Sequence, residues 1–177
     1  REVVGKLDGA TREDLLPLVK GQELAWNAPA AGWLVSAVTC KTTGLDFLNR
    51  AVMEDWIRGL WEGYADNLRE FLGTTFKGMV QDEFTTFTGE LRYSPLLLER
   101  FRASRGYDPR PHLLSLFRDV REDSVKVRCD YHGVIAELLE ESAYQAIADW
   151  FGKRGMEVGT VAFWGRQDVL AVTSNYG

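Results

Sequence analysis

Two carboxylates stand side by side at Asp82-Glu83, directly after the run Phe76-Lys77-Gly78-Met79-Val80-Gln81. That run reads as a short strand, and a strand ending in acids sets titratable groups where a proton could be given or taken in a reaction. Successive strand residues point to opposite sides, so only one of the two can face a given mouth. A further carboxylate, Asp168, follows a later strand-like run through Phe163-Trp164-Gly165-Arg166-Gln167. The plainer reading of Asp82-Glu83 is a solvated acidic turn. Asp46 either lines the same mouth or orders the turn before Asn49, and Trp164 either stacks on a ligand ring or caps its strand from inside.

Other chemistries lack their residues. His112 and His132 are far apart in sequence and form neither HxH nor HxxxH spacing, and no GxSxG, GxxxxGK[ST] or GxGxxG occurs. The serine-hydrolase elbow, the P-loop and the dinucleotide fingerprint are thus without motif support. Lys plus Arg total 21 against 26 Asp plus Glu, a net charge of −5 with no basic stripe, which argues against a nucleic-acid backbone reader. No apolar run approaches the ~18 residues that cross a bilayer, and the first residues lack the apolar stretch of a signal peptide. Cys40 and Cys129 form no CxxC, so neither a disulfide framework nor a thiolate zinc site is expected. Composition is that of a globular chain of 177 residues, 45% hydrophobic and 27% charged, with six Trp that suit a core or a carbohydrate-facing surface.

The elements that must hold these groups begin with β structure. Residues 23–29 and 32–39 are β-rich runs separated by Pro29-Ala30-Ala31-Gly32, which predicts a hairpin closed by that turn. Before it, Thr11 could cap one helical turn. Asn49 then opens a helix whose apolar stripe is Val52, Trp56, Ile57, Leu60, Trp61, Tyr64, Leu68 and Phe71, with Gly73 as the stop. Ser94-Pro95 is an N-cap with the favoured first-turn proline, and Gly106 ends that helix. Residues 111–117 predict another helix. The longest apolar stripe runs from Ser124 to about Arg154, stops at Gly155, and is followed by a strand over residues 157–163.

Helix, strand with an acidic end, helices, long helix, strand: this alternation predicts an α/β fold with a parallel sheet and helical crossovers. A complete (β/α) barrel needs ~250 residues, so the expectation is part of a TIM-type barrel over residues 45–177, preceded by a β-hairpin segment over 1–44. Arg1 in place of an initiator Met and the end at Asn175-Tyr176-Gly177 fit an incomplete fragment.

The segments 24–35, Leu45-Asp46-Phe47-Leu48-Asn49 and 76–83 resemble a series in large bacterial glycoside hydrolases of the α-L-rhamnosidase type, glycoside hydrolase family 106 and its relatives. There they are a W-x-x-P-x-G-x-W-like hairpin, a D-x-L-N entry to a helix and a strand ending in D-E. Residues 95–101, Arg105-Gly106-Tyr107-Asp108 and Val127-Arg128-Cys129-Asp130-Tyr131 resemble the same family's path to its long helix. The likeness covers roughly residues 20 to 165. This chain has one residue more between Pro29 and Gly32, and Thr160 stands where relatives tend to carry a histidine.

The resemblance implies an exo-acting glycosidase with Glu83 as general acid, an oligosaccharide or glycoside substrate, and a periplasmic or secreted location. Calcium near the substrate is expected in the family, although no ligand for it can be placed here. Asp168 is the nearby candidate for the second carboxylate, unless that group lies beyond Gly177, and Asp82, Asp46 and Trp164 are candidates for the substrate side. Glycoside hydrolysis generally needs two carboxyls, one protonated and one ionised. A glutamate near Phe84 and Phe87 could be held protonated by an apolar setting. Two other functions stay open: a non-catalytic carbohydrate-binding or scaffold segment, and an α/β lyase acting on acidic sugars. The lyase would need basic residues at the mouth, for which Arg92 and Arg166 are the candidates.

Overall fold

The structure, a computed structural model, describes residues 2–6, 13, 15–40, 44–81 and 91–160. It is a mixed α/β chain with small sheets, and it divides into two compact units, Arg1–Thr43 with Phe101–Tyr131, and Gly44–Arg100 with His132–Gly177. Thr11 and the one-turn helix expected there lie outside the described residues.

In the first unit, β1 (Glu2–Lys6) and β4 (Trp33–Val38) pair antiparallel, from Glu2 opposite Val38 to Lys6 opposite Trp33. Between them, β2 (Val19–Lys20) and β3 (Glu23–Leu24) form a separate small hairpin. This corrects the expected strand pairing, since residues 23–24 do not pair with residues 33–38. Gly21, at φ +62°, begins a two-residue loop with Gln22, the left-handed geometry that a tight hairpin requires. Residues 25–32 are instead an open connection through Pro29, which has no N–H to offer a ladder. Trp26 and Trp33 still meet edge to face, with ring centroids 5.3 Å apart.

In the second unit, α1 (Arg50–Asn67) starts as expected. The Asn49 side chain accepts from the backbone N–H of Ala51 at 3.1 Å and of Val52 at 3.4 Å, satisfying two donors that a helix start leaves open. The buried face is the row Met53, Ile57 and Ala65, with Trp61 half-buried between them. The expected stripe is therefore rotated: Leu60, Leu68 and Phe71 are exposed and Tyr64 is 57% exposed. Three- and four-residue steps define two adjoining rows on a helix, and later elements of the chain decide which is covered. Trp61 meets Phe151 edge to face at 5.3 Å. Fully burying Met53 and Ile57 stabilises by roughly 1.5–3 kcal/mol each. The helix also stops earlier than expected, at Asn67, and a 3-10 turn (Arg69–Phe71) leads to Gly73.

β5 (Gly78–Gln81) follows, then α2 (Pro95–Arg105), capped by Ser94 and closed by Gly106 at φ +78°. Residues 110–116 form a 3-10 helix rather than the α-helix expected there. The long helix is present in three parts: α3 (Ser124–Leu139), a π-helical segment (Glu140–Tyr144) and α4 (Gln145–Gly152). Gly155 follows at φ +68°, and β6 (Glu157–Thr160) closes the described chain.

Candidate functional site

β5 and β6 pair in parallel and in step, Gly78 with Glu157 through to Gln81 with Thr160. The parallel pairing expected from the helix–strand alternation is thus present. It depends on a glycine: a Cβ on Gly78 would lie 2.3 Å from the backbone oxygen of Glu157. Gly73 and Gly155 permit a second close approach, because a Cβ on Gly73 would lie 3.0 Å from the backbone oxygen of Gly155. Paired strand residues share a face. Met79 and Val158 are half-buried on one face, while Val80, on the other, is 70% exposed. Asp82, Glu83, Trp164 and Asp168 lie outside the described residues. In sequence, Asp82-Glu83 follow the last residue of β5, and Trp164 and Asp168 follow β6.

Asp46 is described, and both of its carboxylate oxygens are engaged. Oδ1 accepts from the Leu48 N–H at 3.1 Å, and Oδ2 accepts from the Ser94 hydroxyl at 2.8 Å. Its backbone carbonyl takes the Asn49 N–H at 3.1 Å. Ser94 is fully buried and at the same time accepts from the Leu96 N–H at 3.3 Å, capping α2. Next to Asp46, the Phe47 ring lies under the Arg92 guanidinium, 5.1 Å from centroid to carbon, a cation–π contact. The Leu48 carbonyl accepts from the buried hydroxyl of Ser142 at 3.0 Å. The turn over residues 46–49 therefore joins the start of α1, the start of α2 and the π segment.

The charged groups around this turn are largely paired. Arg50 reaches Asp149 at 2.5 Å and Glu54 at 2.8 Å, and also donates to the Glu141 carbonyl at 3.2 Å. The hydrogen bond from Arg50, then that from Gln145, holds the Asp149 carboxyl below its usual range. Arg100 pairs with the Glu141 carboxylate. Further along, Arg154 bridges to Glu62 at 3.0 Å and lies 3.7 Å over the Trp150 ring. The sequence pattern did not reveal Ser142 and the Arg50 network. The available signal was a serine inside the apolar stripe between Leu139 and Ala143, a position that an all-apolar face would not choose.

In the first unit, the segments Arg105-Gly106-Tyr107-Asp108 and Arg128-Cys129-Asp130-Tyr131 are held by one another. Tyr107 donates to Asp130 at 2.7 Å, and its ring meets Phe101 and His112 edge on. Burial first, then the bond to Asp130, raises the Tyr107 hydroxyl above its ordinary value. Burial would raise Asp130 too, but hydrogen bonds from Lys126 and Tyr107 outweigh it and hold that carboxyl below the usual range. Asp108 is brought down to about 2, chiefly by its hydrogen bond from Arg110.

Among the described residues, no group of three or more His, Cys, Asp or Glu side chains could hold a metal ion. The described residues thus give a calcium ion no ligand set, and no chemical step is drawn through one. No described helix is long and apolar enough to cross a membrane.

Three comparisons bear on identity. Residues 21–171 match the family model of glycoside hydrolase family 106, described as alpha-L-rhamnosidase. The solved structure of a rhamnosidase from Novosphingobium sp. PP1Y is similar to this one with a TM-score of 0.62 and 22% sequence identity. That match covers 98% of this chain and 19% of the other, so the chain spans about a fifth of its neighbour's length, and the likeness speaks for the fold. No curated protein matches the sequence significantly. Because the family model takes in most of its length, the chain belongs to glycoside hydrolase family 106, the α-L-rhamnosidase family.

Proposed function

We propose that this chain is part of the catalytic (β/α) barrel of a glycosidase that hydrolyses terminal α-L-rhamnosides, with Glu83 as the general acid. The observation that carries the reading is the parallel, in-step pairing of β5 with β6. It sets the C-terminal ends of the two strands side by side, and those are the ends from which α/β folds present catalytic groups. The sequence continues from one end into Asp82-Glu83 and from the other towards Trp164 and Asp168. Family membership supplies the reaction class.

In this reading Glu83 protonates the oxygen of the leaving group while a second carboxylate, with Asp168 as candidate, activates water or attacks the anomeric carbon. Asp82 and Trp164 serve the sugar, the indole by stacking on its apolar face. The barrel assignment for residues 45–177 is part of the same proposal, supported by the order α1, β5, α4, β6.

The test is turnover by the full-length polypeptide. It should release the phenol from an aryl α-L-rhamnoside and not from the matching aryl β-D-glucoside, and Glu83→Gln should abolish most of that activity on unactivated rhamnosides. Undiminished hydrolysis of unactivated rhamnosides by Glu83→Gln would contradict the assignment.

A further inference from the structure

The turn before α1 carries more connections than a helix start requires. Asn49 supplies the N-cap of α1 and Ser94 that of α2, so neither helix needs Asp46 for its first turn. Asp46 nonetheless spends one oxygen on Leu48 within the turn and the other on the buried Ser94 hydroxyl, 48 positions later. Phe47 and Arg92 make a second link between the same two segments, and Ser142 ties the turn to the long helix through the Leu48 carbonyl.

The segment so held has a particular place in the chain. Gln81, paired with Thr160, fixes the point where the chain leaves β5, and Ser94 fixes the point where it enters α2. Asp82 and Glu83 lie in sequence between these two anchors. We infer that Asp46 is a positioning residue for the reaction proposed above, acting through Ser94 on the stretch that carries the candidate acid. The inference rests on that reading of the reaction.

A carboxylate whose oxygens both accept internal hydrogen bonds is poorly placed to bind a sugar hydroxyl as well, because a hydroxyl would have to displace or share a partner. The geometry therefore favours a role in placement over direct contact with substrate. Displacement of a reacting group by ~1 Å can cost ~10²-fold in rate, so the loss of one anchor should register in turnover before it registers in affinity.

The experiment uses the full-length polypeptide with an unactivated rhamnosyl disaccharide and an aryl rhamnoside bearing an acidic phenol. Asp46→Ala and Ser94→Ala should each lower kcat on the disaccharide by ~10–100-fold, with KM little changed and a smaller loss on the aryl substrate. Asp46→Asn, which keeps one acceptor oxygen, should retain more activity than Asp46→Ala. The double variant should be little worse than the poorer single, because both act through one bond. A raised KM with unchanged kcat would overturn the inference in favour of substrate binding by Asp46. Equal losses on both substrates, in step with lowered melting temperatures, would overturn it in favour of a purely structural bond. Glu83→Gln measured beside them keeps the two ideas apart. A missing contrast in that variant rejects the acid assignment, whereas coupled kcat losses at Asp46 and Ser94 uphold the positioning role.

Discussion

Ser94 and Asp46 meet through a 2.8 Å hydrogen bond that closes 48 residues of chain, and the hydroxyl that makes it is fully buried. One serine thereby caps α2 and binds the turn that starts α1. A hydrogen bond to a charged partner contributes ~1.5–3 kcal/mol, and a lost N-cap costs ~0.5–2 kcal/mol. Ser94→Ala should therefore be more destabilising than Asp46→Asn, and the two losses should not add. Urea unfolding of both single variants and the double variant checks this; strictly additive losses would show that the bond does not couple the two sites.

Gly78 tests the strand pair. Its backbone torsion needs no glycine, but a Cβ there would lie 2.3 Å from the Glu157 backbone oxygen. Gly78→Ala should force β5 and β6 apart at a cost of ~1–3 kcal/mol, the range for overpacking. Gly59→Ala, on α1 with open space around its position, should be neutral or stabilising, since alanine is preferred to glycine within a helix. Equal melting temperatures for Gly78→Ala and the parent protein would contradict the close approach.

Acid should weaken the first unit through Asp108. Its carboxyl is lowered from near 3.8 to about 2, first by the hydrogen bond from Arg110. A folded-state value below the unfolded one means that the unfolded chain takes the proton first as pH falls. The stability this group contributes is present above about pH 4 and is lost progressively towards pH 2. Asp108→Asn should flatten the stability profile between those values and leave its slope at neutral pH unchanged. An identical acid limb in the two proteins would assign the loss to other carboxylates.

Trp26 and Trp33 form an edge-to-face pair although their segments share no strand ladder. Both are half-buried, so Trp33→Ala should cost less than the ~3–5 kcal/mol of a fully buried aromatic. The ring pair itself contributes ~0.5–1.5 kcal/mol, readable as the coupling in a double-mutant cycle. A coupling near zero would show that the rings touch without stabilising each other.

Much of the second unit was legible in the sequence, because its signals are local. Asn49, Ser94-Pro95, Gly106 and Gly155 mark helix ends by their own side chains or backbone preferences, and each does so in the structure. The parallel pairing of residues 78–81 with 157–160 followed from element order. What escaped depends on partners distant in sequence. Residues 33–38 pair with residues 2–6 rather than with the nearer β-rich run, and the local signal for the true hairpin, Gly21, was outweighed by Pro29 and Gly32. The covered row of α1 and the hydroxyl of Ser142 are set by packing that periodicity does not encode. Of the candidate site residues, only Asp46 falls among those described, and its hydrogen bonds match the turn-ordering reading.

The central claim is that Glu83 gives the proton to the departing oxygen. In the full-length polypeptide, Glu83→Gln keeps the size and hydrogen-bonding reach of the side chain but has no transferable proton. Hydrolysis of an unactivated rhamnoside should fall by ~10²–10⁴-fold, while hydrolysis of an aryl rhamnoside with a very acidic phenol should fall far less, because that leaving group departs without protonation. Asp82→Asn is the paired control, since adjacent strand residues face opposite sides. The decisive quantity is the ratio of the two rates in Glu83→Gln relative to the parent protein. A ratio shifted by at least ~10²-fold towards the aryl substrate is the predicted result; equal losses on both substrates, or a larger shift in Asp82→Asn, would contradict the account.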